Sequence, residues 1–117
     1  MIDVVVSLSL ATMCFLNQCY PVLVGDRTTE GVYTLERVRI TAPGYGDDVL
    51  IYDPITKAVP RSIHRVYLGI PQQQRLERLR GPASVRRGVT NGCINAMPDV
   101  YEQLIACREC RRLKVVK

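Results

Sequence analysis

The first half of the chain is a succession of short apolar, β-branched runs separated by turn residues. That pattern commits it to a mainly β fold, because no stretch there keeps a helical period. Residues 3–10 read as a strand that residues 11–16 continue. Asn17-Gln18 suits a hairpin turn, and residues 19–24 return as the partner strand. After a turn at Gly25-Asp26-Arg27, residues 31–41 read as one strand, with Val32, Leu35, Val38 and Ile40 in imperfect alternation. Pro43-Gly44-Tyr45-Gly46-Asp47 breaks the chain. Residues 49–52 and 62–68 are two further strands, the second carrying His64.

The second half changes character. Pro71 opens a polar stretch, 72–80, with Leu76 and Leu79 at helical spacing, and Gly81-Pro82 stops it. Residues 83–90 form a basic loop before Asn91-Gly92-Cys93. Pro98 sits where the first turn of a helix places it, and Val100, Leu104 and Ile105 give that helix one apolar face. Residues 114–117 read as a final edge strand. The expected architecture is a single domain over residues 1–117, a curved sheet or sandwich with one or two helices.

Composition narrows the function classes. A chain of 117 residues, 47% hydrophobic with mean hydropathy +0.02, has the balance of a globular domain. No run reaches the roughly 18 apolar residues that a membrane span needs. The apolar stretch 4–16 invites a signal-peptide reading, but it has Asp3 in place of a basic leader and no small-residue cleavage site; a strand, and no export signal, is expected. The net charge of +5 is concentrated in Arg75, Arg78, Arg80, Arg86 and Arg87, which points to an anionic partner or to a solvated face. That cluster contains no aromatic residue, so a nucleic-acid partner is not expected.

The five cysteines fit one free thiol with two bridges, or five free thiols. Cys14 and Cys19, with Cys107 and Cys110, have spacings compatible with a four-cysteine zinc site. Neither pair has the Gly and Pro neighbours of a zinc knuckle, so disulfides or burial are the preferred reading, with no metal or cofactor.

The chemistry concentrates at Gly88-Val89-Thr90-Asn91-Gly92-Cys93-Ile94-Asn95. A cysteine after glycine sits on backbone that a substrate can approach closely, and adjacent N–H groups can hold a tetrahedral oxyanion. His64 is the sole histidine and supplies what a cysteine nucleophile requires, as a general base or as the cation of an ion pair. The bland counterparts are a buried turn cysteine and a structural histidine.

Thr90-Asn91-Gly92-Cys93-Ile94-Asn95 resembles the signature of the L,D-transpeptidase catalytic domain, Ser/Thr-His-Gly-Cys-aliphatic-Asn/Arg. The segment Val24-Gly25-Asp26-Arg27-Thr28-Thr29-Glu30-Gly31-Val32-Tyr33 resembles that family's Gly…Thr-Pro-x-Gly-x-Phe/Tyr segment, and Ile63-His64-Arg65 resembles its upstream histidine segment. The resemblance covers residues 3–117 in family order. Two departures stand out: Asn91 replaces the motif histidine before Gly-Cys, and the interval from His64 to Cys93 is long. Both mark a divergent branch.

The resemblance implies a peptidoglycan stem peptide as substrate, attacked by Cys93 with His64 as base. It implies oxyanion donors near Gly92 and Cys93, a further donor from Asn91, and Thr90 orienting His64. Asn95 takes the family's substrate-side position. The arginine cluster, Arg86 and Arg87 above all, is expected to meet stem carboxylates, with Arg65 and Tyr67 also lining the substrate. The setting implied is the bacterial periplasm or cell wall, and a monomer is expected. Water as acceptor would make the chain an L,D-carboxypeptidase, including a secreted toxin aimed at another cell's wall. A non-catalytic wall-binding domain is the remaining alternative.

Overall fold

The computed structural model describes residues 1–53 and 60–117. Nine strands among those residues form a single sheet: β1 (Asp3–Ser7), β2 (Thr12–Phe15), β3 (Gln18–Leu23), β4 (Gly31–Thr34), β5 (Glu36–Arg39), β6 (Asp48–Asp53), β7 (Arg61–Arg65), β8 (Ile94–Ala96) and β9 (Arg112–Val116). Their order is β4-β9-β1-β2-β3-β8-β7-β6-β5. The two ends of the sheet approach each other, since the Tyr33 ring on β4 meets the Tyr52 ring on β6 edge-on at 4.9 Å. The sheet is a nearly closed, barrel-like layer, and the mainly β expectation holds.

Alternation drives the curl. In β1 and β9 every second residue is buried, which puts Val4, Val6, Leu113 and Val115 inside. Met13, Val22, Leu50, Ile63 and Ile94 join them from the other strands. Each such side chain contributes roughly 1.5–3 kcal/mol on leaving water. Helix α2 (Pro98–Ala106) seals the core with Val100, Tyr101 and Leu104. It starts on Pro98, as anticipated. It ends where the Arg111 guanidinium collects four carbonyls, those of Leu104, Ile105, Cys107 and Cys110. The short helix α1 (Arg75–Leu79) follows a 3-10 turn at Pro71–Gln73 and buries Leu79 against Leu23 and Val66. Among the described residues no helix is long and apolar enough to cross a membrane.

Four local expectations are corrected. Residues 3–16 make two strands, because the chain turns at Ala11 with φ at 49° and β2 folds back on β1. The hairpin turn is Leu16-Asn17, one residue earlier than read, with both φ positive as a type I′ turn demands. The run 31–41 divides at buried Leu35: β4 pairs with β9 and β5 with β6, at opposite ends of the sheet. Strand β9 is interior, parallel to β1 on one side and antiparallel to β4 on the other.

The cysteines resolve into two bridges and one thiol. Cys14 faces Cys19 across the β2–β3 ladder and is disulfide-bonded to it, and Cys107 is bonded to Cys110 just beyond α2. The four thiolates of a zinc site are therefore not available. Cys93 is free.

Candidate active site

Cys93 sits on a turn that the surrounding side chains hold from several directions. The chain enters alongside Gly25, whose backbone bridges to Thr90; a Cβ on Gly25 would lie 1.9 Å from the Thr90 carbonyl oxygen, so only glycine permits the contact. The Thr28 hydroxyl accepts from the Gly25 N–H at 3.0 Å and donates to the Gly92 carbonyl at 3.0 Å. The Tyr52 hydroxyl donates to that same carbonyl at 2.6 Å, and burial raises its pKa so that it stays a donor. Thr90 Oγ1 donates to the Cys93 carbonyl at 2.6 Å and accepts from the Gly92 N–H at 3.2 Å. Gly92 adopts φ +123°, where a side chain would also press on Arg61 and Arg27. The half-buried thiol then faces Ser62 Oγ at 3.7 Å.

His64 comes from the neighbouring strand. β7 runs parallel to β8 with His64 opposite Asn95, so the topology, not sequence proximity, unites the two halves of the site. His64 is 2% exposed. Its Nδ1 lies 2.6 Å from the Arg65 carbonyl oxygen, which can only accept, so Nδ1 carries the proton and Nε2 presents a lone pair. Burial pushes the imidazole pKa down to about 4, Arg75 adds to the lowering, and the Arg65 carbonyl opposes it. His64 is thus neutral near pH 7, a base and not the cation of a resting ion pair. Nε2 is 3.4 Å from Asn95 Nδ2, and the Tyr45 ring stands edge-on to the imidazole at 4.7 Å. Among the described residues no hydrogen bond joins His64 to Cys93. Ser62, two residues before His64 on the same strand face, lies between the two halves, about 7 Å from His64 along the strand.

Several residues expected at the substrate are used elsewhere. Arg86 is buried, and its guanidinium donates to the carbonyls of Ala11, Gly81 and Leu10, tying the basic loop to the β1–β2 turn. Arg65 is held by Asp48 and Glu102 and lies over the Tyr101 ring at 4.4 Å, so it braces β7 against α2. Asn95 is fully buried, and its Oδ1 accepts from the Tyr67 N–H at 3.2 Å and from Arg75 at 2.9 Å. Thr90 braces the cysteine turn and not His64. The Gly92 N–H points at Thr90, which leaves the Cys93 N–H as the candidate oxyanion donor. Asn91 and Arg87 are exposed, and Tyr67 is half-buried with its ring 5.2 Å from Tyr45.

The sequence reading missed Ser62, Tyr45 and Tyr52, named Arg75 only as one of the basic cluster, and gave Thr28 no role of its own. Strand periodicity would have found Ser62, since it shares a face with His64. Nothing local marks Tyr45 or singles Arg75 out from its cluster.

No protein-family model matches the chain, and no curated protein matches it by sequence. Its three-dimensional structure does find relatives. An L,D-transpeptidase from Mycobacterium tuberculosis superposes with a TM-score of 0.68 at 15% identity, over 99% of this chain and 57% of that one. The chain has the fold of the L,D-transpeptidases. L,D-transpeptidase 3 from Mycobacterium tuberculosis, in complex with a faropenem-derived adduct, gives 0.67 at 13% identity, over 99% and 60%. An L,D-transpeptidase from Mycobacterium smegmatis gives 0.62 at 12%, over 99% and 58%. The chain spans less than two thirds of the length of these L,D-transpeptidase structures.

Proposed function

We propose that this protein is a cysteine acyltransferase of the L,D-transpeptidase type, acting on the peptide stems of peptidoglycan in the periplasm or cell wall. The observation that carries this reading is a free thiol on a braced glycine turn beside a strand that carries a buried, neutral histidine with Nε2 unprotonated. In the step proposed, Cys93 yields its proton to His64 Nε2 as the sulfur bonds to the stem carbonyl carbon. The oxyanion is held by the Cys93 N–H. The C–N bond then breaks, the proton passes from His64 to the departing amine of the terminal D-amino acid, and a thioester remains. An acceptor amine resolves the thioester, giving back the thiol. Transfer requires the thiol to turn from Ser62 towards Nε2, a tightening that commonly accompanies substrate binding.

The missing thiol–imidazole contact, with Asn91 in place of the motif histidine, favours a second reading: a wall-binding domain without turnover. Incubation with a disaccharide-tetrapeptide, read by intact mass beside Cys93→Ala, separates them. A covalent adduct lost in the variant, with release of a D-amino acid, is expected. Dimeric product means transpeptidase and bare tripeptide means carboxypeptidase. No adduct from folded protein with a reduced thiol would establish the non-catalytic reading. Faropenem, which forms an adduct with one structural relative, is a second electrophile for the same comparison.

A further inference from the structure

Arg75 is a half-buried cation beside the candidate nucleophile with no anion to answer it. Other arginines of this fold are answered. Arg61 pairs with Asp53, Arg37 and Arg65 with Asp48, and Arg112 with Asp3, while Arg86 and Arg111 are wrapped in main-chain carbonyls. Arg75 has two neutral side-chain acceptors: Gln73 Oε1 at 2.8 Å on Nε and Asn95 Oδ1 at 2.9 Å on Nη1. Among the described residues no carboxylate lies within ion-pair distance of it. Its guanidinium also stands over the Tyr67 ring at 5.6 Å, within electrostatic reach of Cys93 and Tyr45.

These contacts aim the group. Tyr67 and Asn95 fix the guanidinium from two sides, and Asn95, two residues beyond Cys93, also touches His64, so Arg75 is tied to the candidate site while Nη2 is left unused. Beside it opens a cavity of about 230 Å³ walled by Tyr67, Leu68, Ile70 and Leu76. Glu77 also borders the cavity but makes no ion pair with Arg75. A part-buried guanidinium held by neutral partners keeps its charge and its bidentate donor geometry for an incoming anion.

We propose that Arg75, with Asn95 and the Tyr67 ring holding it, forms a carboxylate subsite next to Cys93. The ligand is the free carboxylate of a D-amino acid, either the residue that leaves the donor stem or one that enters as acceptor. Both occupy the same place, because entry of an acceptor is the reverse of departure of the leaving group. Arg75 thereby takes the role the sequence reading gave to Arg86. The subsite rests on Cys93 being the reacting thiol, as in the function proposed above.

The first test needs no turnover. Cys93 displaces iodide from iodoacetate, which is anionic, and from iodoacetamide, which is neutral. Arg75→Gln is expected to lower the iodoacetate rate relative to the iodoacetamide rate by about five- to tenfold, the weight of a charge-assisted contact. Arg75→Lys keeps most of the preference. Lys114→Gln, an equal charge change at an exposed position of β9, leaves it unaltered. An unchanged ratio in Arg75→Gln, an equal loss for both reagents, or an equal effect from Lys114→Gln would overturn the subsite. The second test uses tetrapeptide donors ending in carboxylate or carboxamide, and D-amino acids or their amides as acceptors. KM for the carboxylate form of the donor, the acceptor or both rises in Arg75→Gln, and the amidated forms are indifferent; indifference of every carboxylate form would overturn the assignment. Absence of turnover in the unaltered protein would end the acyltransferase reading and leave the alkylation ratio to judge Arg75.

Discussion

Two hydroxyls converge on one carbonyl at Gly92, and that convergence sets where the thiol can stand. Thr28 is buried and bridges the Gly25 N–H to the Gly92 oxygen. Thr28→Val therefore strands a buried donor and removes one of two bonds on the turn. The expected cost is about 1–3 kcal/mol in urea unfolding, with slower alkylation of Cys93. His64 makes a prediction of the opposite kind, in titration and not in packing. Its folded pKa of about 4 lies below the ordinary 6.5, so the unfolded chain binds a proton in a window where the folded one does not. The stability from keeping this ring neutral is fully present above pH 6.5 and is lost as pH falls towards 4. It amounts to something on the order of 3 kcal/mol. As His64 is the sole histidine, its imidazole proton signals in an NMR titration read the value directly; a midpoint near 6.5 would refute the burial account.

The elements are short, and their ends decide the topology. The β2–β3 hairpin turns through Leu16 at φ 53° and Asn17 at φ 67°, a conformation that leucine resists. Replacing the pair by Asn-Gly (Leu16→Asn with Asn17→Gly) is expected to stabilise the fold by about 0.5–1 kcal/mol and to raise Tm by a few degrees in a thermal scan. A lower Tm would mean that exposed Leu16 does more than turn the chain. The division at Leu35 has a larger consequence. Its N–H donates to the Arg111 carbonyl at 2.8 Å and its side chain is buried, so consecutive strands leave for opposite sheet ends and draw them together. Alternation read through 31–41 sees neither the bend nor its cause, because both depend on Arg111, far along the chain. β8 escaped notice for a related reason: three buried residues are too few to display a period.

At the scale of the molecule, β9 closes the structure. It joins β1 to β4 and buries Leu113 and Val115, so truncation after Arg111 is expected to abolish cooperative unfolding by circular dichroism. The disulfides weigh less. They span five and three residues, loops so short that each constrains the unfolded chain by only about 2 kcal/mol. Reduction is expected to lower Tm while leaving the folded spectrum and the reactivity of Cys93 intact. The arginines divide by position in the same way: Arg86 and Arg65 went to the frame, and Arg75 reached Asn95, two residues beyond the thiol. Charge density along the chain marked the right cluster but could not rank Arg75 above Arg86 and Arg87, since a guanidinium on a long stem finds its partner only after the backbone is placed.

By itself the sequence determined the mainly β class, and it marked a cysteine on a glycine turn and the sole histidine as candidate partners. Those features are local, written in alternation, turn chemistry and a contiguous motif. Only the tertiary structure decided that β7 lies parallel to β8, which brings His64 opposite Asn95 and near Cys93. It also decided that burial holds the imidazole neutral, that Thr28 and Tyr52 brace Gly92, and that Arg75 reaches Asn95 without a carboxylate partner among the described residues. Each of these depends on desolvation or on a contact between residues distant in sequence, and neither exists until the sheet has closed.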